Sequence, residues 1–245
     1  METLILHTTR GMLNPERLSQ AQAMHNAFVT EGSQPGIEIA RSLGDLSHNL
    51  YAPVEGLGKL LAASPGELLF IDQWADAGGM ETFFSNPFAQ GAGDQLYASR
   101  EEAEWIPARD AFTFHVPAIV DTSARFVGMM RAPVRATSDA VKVISERIWA
   151  NLRASRRLGH LSHQLFLREA FVVEARPASN ARRSGGEDTA FPVESVEVLA
   201  LDFWPTLEGL TEHYSALLST NKLDEVLAGS ITVSVWEQAR GFVEW

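Results

Sequence analysis

Cysteine is absent from this chain of 245 residues. Its absence excludes disulfides, thiol nucleophiles and iron–sulfur clusters, because all three are built on cysteine sulfur. A chain without disulfides fits a reducing compartment. The N-terminal stretch METLILHTTRG also lacks the basic region and the long apolar run of a secretion signal. We therefore expect a cytoplasmic protein.

Positively charged residues are fewer than negatively charged ones. Lys and Arg number 20 against 31 Asp and Glu, which gives a formal net charge of −11. A nucleic-acid partner requires clustered Lys and Arg to neutralise phosphates. The basic cluster Arg153, Arg156 and Arg157 falls at the end of a predicted helix, where positive charge complements the helix dipole. We expect no nucleic-acid partner.

Long apolar runs are missing as well. No window approaches the roughly 18 apolar residues that a membrane-spanning helix needs, so no membrane partner is expected. The hydrophobic fraction of 45% and the charged fraction of 21% are typical of a globular protein. The chain is longer than a usual single domain, and its length suits two domains.

A nine-residue sequence occurs twice. Residues 43–51 read LGDLSHNLY and residues 158–166 read LGHLSHQLF, with six identical positions. An Asp-x-Trp motif follows each copy, as Asp72 with Trp74 and Asp202 with Trp204. In the same register, Phe83 falls opposite His213. The repeat indicates two copies of one module in tandem.

Hydrophobic periodicity predicts the order βαββαβ in each copy, which is the ferredoxin-like arrangement. The predicted fold class is α+β, with modules at residues 1–120 and 121–245 whose sheets pack face to face as an intrachain dimeric α+β barrel. Residues 88–105 are expected to be helical, and residues 111–116 to form the first module's fourth strand. The second module has a longer connection between its second and third strands, at about residues 175–191.

The motif order resembles a known family. Gly-x-Leu-Ser-x-x-Leu-Tyr, then acidic-x-Trp, then a short helix ending in Asn-Pro is similar to the antibiotic biosynthesis monooxygenase (ABM) type of dimeric α+β barrel domain. The resemblance is best over residues 43–88 and less strict over 158–218. It implies a small-molecule site between a sheet and its helices or inside the barrel.

The resemblance also bears on cofactors. The helical histidine common in the family falls at His213 in the second copy, whereas Phe83 stands in the first. Haem-degrading members need an axial histidine about ten residues further on, where this chain has Gly91-Ala92-Gly93 and Leu223-Asp224. The resemblance therefore implies no haem, and we expect no cofactor.

Histidine is the side chain best suited to move a proton near neutral pH. His48 and His163 recur at equivalent strand positions, His213 lies on a helix, and Asp202 is placed to orient an imidazole; these four are the catalytic candidates. The candidate substrate-binding residues are polar or aromatic neighbours in the repeat: Asn49, Tyr51, Asp72, Trp74, Trp204 and Phe83. In the family's cofactor-free oxygenases, a substrate carbanion reacts directly with oxygen. The leading hypothesis is thus a cofactor-independent monooxygenase in which histidine abstracts a proton.

The alternative is a non-catalytic ligand-binding or stress-related module of the same fold. A histidine that alternates with leucines, as His48 does, is typical of a buried structural residue, and large aromatics usually pack cores. No metal site is predicted, since His160 and His163 stand three apart on a predicted strand and should point to opposite sides. The fused pair can also form a homodimer through its remaining surfaces.

Overall fold

The computed structural model describes residues 4–57, 63–109, 111–116, 125–135, 139–169, 195–219 and 226–245. The predicted connection at residues 175–191 lies outside the described residues. So does the predicted division at residue 120, which stays a prediction. Within the described residues no helix is long and apolar enough to cross a membrane.

The first half of the chain contains four strands and four α-helices. They are β1 (Ile5–Leu13), α1 (Ala21–Thr30), α2 (Gly36–Ser42), β2 (Asp45–Pro53), β3 (Glu67–Trp74), α3 (Ala77–Phe84), α4 (Pro87–Leu96) and β4 (Tyr97–Pro107). A 3₁₀ helix at Pro15–Gln20 precedes α1, and Asn14 caps it by accepting from the Glu16 backbone N–H at 3.1 Å. Asn86 and Pro87 start α4 in the same way, since Pro suits the first helical position.

The second half repeats this order with fewer helices. After the two-residue strand β5 (Phe114–His115) come β6 (Phe126–Arg135), α5 (Ala140–Arg157), β7 (Ser162–Glu169), β8 (Ser195–Trp204), α6 (Leu207–Leu218) and β9 (Thr232–Gln238). The Thr206 side chain caps α6 by accepting from Gly209 N–H, as Asp76 caps α3 by accepting from Gly79 N–H.

Eight of the strands form one closed antiparallel barrel. Their order is β4-β1-β3-β2-β9-β6-β8-β7, and β7 pairs back onto β4. The two halves are joined at β2–β9, where Tyr51 lies opposite Gln238, and at β4–β7, where Ile106 lies opposite Leu167. The strands of the two halves are therefore bonded edge to edge in one sheet, and the face-to-face packing of two ferredoxin-like sheets stays a prediction. Closure leaves these eight strands without a free edge.

Apolar side chains fill the barrel interior. Trp105, Trp236, Leu69 and Phe166 are among the buried residues of this cluster. Each tryptophan satisfies its indole N–H internally: Trp105 Nε1 donates to Thr8 Oγ1 at 2.9 Å, and Trp236 Nε1 donates to Ser234 Oγ at 2.8 Å. The interior is thus a packed core, as in other small barrels.

Strand alternation decides which residues face the helices. In β3, Leu69 and Ile71 point into the barrel, so Asp72 and Trp74 point outward to the helical layer. Because His48 lies opposite Asp72 in the β2–β3 register, it points outward too. Polar groups are therefore buried between the barrel and its helices.

Each half extends along the other half's second strand. Residues 239–245, after β9, run beside β2: His48 N–H donates to Trp245 O at 2.8 Å, and Trp245 N–H donates to His48 O at 3.1 Å. Residues 108–109 and 111–116, after β4, run beside β7, where Phe114 pairs with His163. The backbone at each of these histidines is thus fixed by a segment distant in sequence.

Two elements differ from the sequence predictions. The strand β4 occupies residues 97–107, of which residues 97–105 were expected to be helical. A strand forms there because its charged residues alternate with inward-facing Ala103 and Trp105. Residues 111–116 accordingly are not the fourth barrel strand and contribute only β5. The helix α2 was not predicted, since its seven residues are too short to show helical periodicity.

Two glycines permit close contact between helix and loop. A Cβ at Gly79 would lie 1.8 Å from the Leu43 carbonyl oxygen, and one at Gly209 would lie 2.2 Å from the Leu158 carbonyl oxygen.

We expect Gly79→Ala and Gly209→Ala each to lower the free energy of unfolding by about 1–3 kcal/mol in urea denaturation, because the backbone must move to make room for the added carbon. The control is Gly91→Ala within α4, where no atom lies within 4 Å of the added carbon. It should be neutral or stabilising by up to about 1 kcal/mol. Equal effects at all three positions would contradict the packing argument.

Candidate functional site

Each half buries one histidine–aspartate pair on neighbouring strands. His48 lies opposite Asp72 and His163 lies opposite Asp202 in the same register. The Nδ1–Oδ1 distances are 2.5 Å for His48–Asp72 and 2.6 Å for His163–Asp202. A carboxylate at this distance fixes the orientation of the imidazole ring.

A cavity of about 490 Å³ lies over the pair of the first half. It is bounded by the barrel wall and helices α1 to α4, and His25, His48, Asp45 and Asp72 are its titratable histidine and aspartate residues. The remaining walls are largely aromatic: Phe28, Phe70, Trp74, Phe83, Phe84, Phe88, Tyr97 and Trp245. The cavity has the size and the apolar lining of a small-molecule site.

Asn26 fixes the hydrogen positions at His25. The Asn26 side-chain nitrogen donates to Gly241 O at 2.8 Å, and its Oδ1 accepts from Val243 N–H at 2.9 Å. The amide orientation is therefore set by the backbone. His25 Nδ1 lies 3.1 Å from the same Oδ1, so Nδ1 must carry a proton and donate it.

The chain of contacts continues through His48 to Asp72. Burial, and next the neighbouring His48, lowers the pKa of His25 to about 4, so its ring is neutral at pH 7 and its Nε2 is an acceptor. His48 Nε2 lies 3.0 Å from that atom and must donate to it. His48 Nδ1 faces the Asp72 carboxylate. These contacts place a proton on both nitrogens of His48, which forms an ion pair with Asp72.

Asp72 is the anion of this pair. Burial on its own would raise the pKa of Asp72, but the charge and hydrogen bond of His48, together with His7, outweigh burial and lower it. His7 Nδ1 lies 3.7 Å from Asp72 Oδ2, and the His7 ring stacks on Phe84 at 3.9 Å. Asp72 is thus held ionised in a dry environment.

Asp45 is the second carboxyl group of the cavity. Its Oδ2 accepts from Trp245 Nε1 at 3.1 Å, whereas its buried Oδ1 has no hydrogen-bond partner. Burial, and next the charge of Asp72, raises the pKa of Asp45 to about 7. Tyr97 OH and Trp74 Nε1 are also buried without partners. A ligand that bonds to these three groups would relieve an energetic cost.

The corresponding region of the second half is occupied differently. Gly128 stands opposite Asp202, where His7 stands opposite Asp72. Tyr214 uses the resulting space: a Cβ at Gly128 would lie 2.1 Å from its ring, and Tyr214 OH donates to Asp202 Oδ2 at 2.5 Å. The tyrosine hydroxyl therefore contacts the carboxylate directly.

The sequence-predicted candidates divide between the two halves. His48, Asp72, Trp74 and Phe83 line the cavity. His163, His213, Asp202 and Trp204 come together in the second half, where burial lowers the pKa of His213 to about 4. Asn49 lies opposite Ile71, which places it with Tyr51 on the barrel-interior face, away from His48.

Sequence reasoning missed several cavity residues, among them His25, Asp45, Tyr97 and Trp245. The spacing of His25 from Ala21 and Phe28 indicates only the buried face of a helix. Asp45 had a signal, because it is the charged position at which the repeat differs, with His160 in the second copy. No signal in the sequence marked Trp245, since it reaches β2 only through long-range backbone pairing.

The prediction that His160 and His163 point to opposite sides is wrong. His160 lies in the turn before β7, which begins at Ser162, so strand alternation does not apply to it. His160 Nε2 and His163 Nδ1 lie 3.0 Å and 2.6 Å from the same oxygen, Asp202 Oδ1.

Neither a protein-family model nor a curated protein matches this sequence. Solved structures with the same fold include an anthrone oxidase-like protein, with a TM-score of 0.58 and 11% identity over 98% of this chain and 92% of that one. Two proteins named "putative monooxygenase", from Lactobacillus acidophilus and Fusobacterium nucleatum, each have a TM-score of 0.53 and 10% identity over 99% of this chain. The matches cover 94% and 97% of those two chains. At these identities the likeness shows only a shared fold, the closed α+β barrel described above.

The pKa of Asp45 predicts a pH-dependent stability. Its pKa rises from 3.8 to about 7 on folding, so its contribution is full below about pH 4 and is lost as the pH rises through 7. We therefore compare the free energy of unfolding of Asp45→Asn with that of the wild type. The difference, variant minus wild type, should increase between pH 4 and 7 by at most a few kcal/mol, which is the magnitude that corresponds to the pKa shift. His25 acts oppositely, because its lowered pKa removes stability as the pH falls from 6.5 through 4. Subtracting the wild type cancels that contribution.

Urea unfolding at several pH values measures this difference. The control is Glu104→Gln on the exposed face of β4, for which the difference should stay near zero. A constant difference for Asp45→Asn across the range would show that Asp45 titrates as it does in the unfolded chain.

Proposed function

We propose that this protein is a cofactor-independent monooxygenase that oxidises a small, ring-containing phenolic or enolisable substrate in the cavity of the first half. The observation that carries the proposal is Asp45, a buried carboxyl group with an unpartnered oxygen and a pKa of about 7 beside an aromatic-walled cavity. A general base is most effective when its pKa lies near the working pH.

The proton acceptor in this proposal is Asp45 rather than His48. Both ring nitrogens of His48 are engaged, one with Asp72 and one with His25, so neither is free to receive a substrate proton. His48 instead supplies positive charge within the cavity wall, which stabilises the anion formed when the substrate loses its proton. In this proposal Tyr97 OH and Trp74 Nε1, which are buried without hydrogen-bond partners, donate to substrate oxygens.

The chemistry then needs only oxygen as co-reactant. Asp45 takes a proton from an activated CH₂ group, the resulting carbanion transfers electrons to O₂, and a carbon–oxygen bond forms. Loss of water from the hydroperoxide leaves a ketone, so that CH₂ and O₂ give C=O and H₂O. The apolar walls exclude bulk water from the anion. The names of the solved proteins with this fold agree with such a reaction.

We also propose that the chain arose from a tandem ferredoxin-like module. The strand order β4-β1-β3-β2 corresponds to β9-β6-β8-β7 element by element. The turn glycines before the second strands, Gly44 and Gly159, have φ angles of 97° and 96°. This agreement supports a shared origin of the two halves.

Oxygen uptake tests the catalytic proposal. With anthrones and hydroquinones as substrates, Asp45→Asn should lower kcat by at least about 100-fold, the usual contribution of a general base. Glu104→Gln removes an exposed carboxylate and should leave the rate unchanged. Substrate binding without oxygen uptake by the wild type would instead support a ligand-binding module. Full activity of Asp45→Asn would rule out its role as base.

The pH profile tests the role of His48. The positive charge of His48 lowers the pKa of Asp45, so His48→Gln should raise that pKa and move the acidic limb of kcat/KM to higher pH. A merely structural role would reduce the amplitude without moving the limb. An acidic limb that stays in place, in a variant with unchanged circular dichroism, would contradict electrostatic coupling between the two residues.

A further inference from the structure

We propose that the second half binds one divalent transition-metal ion through His160, His163 and Asp202. These three residues offer ligand atoms that all lie within 4.8 Å of one another, and all three side chains are buried. No other group of three His, Asp or Glu residues in the described ranges meets this distance. The site is separate from the cavity of the first half and does not depend on the proposed oxidation.

The distances fit a metal after small shifts. His160 Nε2 lies 3.0 Å and His163 Nδ1 lies 2.6 Å from Asp202 Oδ1. A tetrahedral ion with bonds of about 2.1 Å would place neighbouring ligand atoms about 3.4 Å apart, so the two nitrogen–oxygen distances would have to lengthen by roughly 0.4 and 0.8 Å. Two imidazoles and one carboxylate suit Zn²⁺, Co²⁺ or Fe²⁺ and exclude a preference for Ca²⁺ or Mg²⁺.

His160 lacks the contacts that a buried imidazole normally makes. It is 1% exposed, and neither of its ring nitrogens has a hydrogen-bond partner, although Nε2 lies close to Asp202. Buried polar groups are nearly always bonded. A metal ion between Nε2 and the carboxylate would satisfy this nitrogen and balance the negative charge of the buried Asp202.

The surrounding side chains hold the three ligands in place. Tyr214 OH donates to Asp202 Oδ2 and leaves Oδ1 for the metal. The His160 ring stacks on Trp204 at 4.2 Å with an interplanar angle of 5°, and Phe114 packs edge-on against it at 4.8 Å. Such outer contacts are the kind that orient metal ligands and raise affinity.

The two halves differ at the residue that completes the set. The first half has the equivalent histidine–aspartate pair, but Asp45 stands where the second half has His160. Asp45 bonds to Trp245 rather than to Asp72. We therefore expect one metal ion per chain.

Titration of the chelator-treated full chain with Co²⁺ and Zn²⁺ tests the proposal. We expect one equivalent of Co²⁺ to bind, with visible d–d absorption, and Zn²⁺ to displace it and raise Tm. His160→Phe keeps a ring against Trp204 but removes a ligand. It should weaken binding by more than about 100-fold, since loss of an outer-shell partner alone costs about 10–100-fold.

The matched control is His115→Phe, the same change at an exposed histidine, which should keep the wild-type affinity and stoichiometry. If His160→Phe fails to fold, Asp202→Asn serves as the second variant, with the same loss expected. Absence of stoichiometric Co²⁺ binding by the wild type would overturn the proposal. Equal weakening by His115→Phe would do the same, because it would mean that the ion sits on the surface.

Discussion

The cross-strand bond between a histidine and an aspartate is the interaction on which both halves depend. A carboxylate buried as deeply as Asp72 or Asp202 is tolerated only when it is paired and hydrogen-bonded. The strand register supplies the partner directly opposite, so the backbone pairing that builds the barrel also satisfies the charge. The outward-facing strand positions under the helices can therefore hold polar side chains away from bulk water.

Barrel closure links the two halves more tightly than packing alone would. The pairings β2–β9 and β4–β7 continue into segments that bond the backbone beside His48 and His163. Trp245, at the end of the second half, stacks on His48 of the first at 4.5 Å. The site of the first half is therefore built from both halves, and it requires the whole described chain rather than one module.

The repeat in the sequence was enough to predict the α+β class and to mark His48, His163, Asp72 and Asp202 as candidates, because these follow from local period and from residues that occur twice. The pairing of His48 with Asp72 was not predicted. The repeat was also not enough to predict which neighbours meet them. Strand β4 was expected to be helical because its charged residues hide its alternation. His25 and Trp245 join the cavity through tertiary contacts that no local pattern records. Asn49 and Tyr51 lie one and three positions after His48 in sequence and yet face the other way, as strand residues at odd spacing must.

Few substitutions are needed to give one backbone two different sites. Where the first half has His7 and Phe84, the second has Gly128 and Tyr214, and the missing side chain at Gly128 is what lets the tyrosine hydroxyl reach Asp202. The first half has Asp45, whose pKa is raised to about 7 by burial and by Asp72. At the equivalent position the second half has His160, whose Nε2 faces Asp202. The carboxylate is common to both, so its partners decide the chemistry. In the second half a tyrosine hydroxyl bonds to Oδ2 of the carboxylate and two imidazoles face Oδ1. In the first half the carboxylate pairs with His48 at the edge of an aromatic cavity, and Asp45 stands apart from that pair.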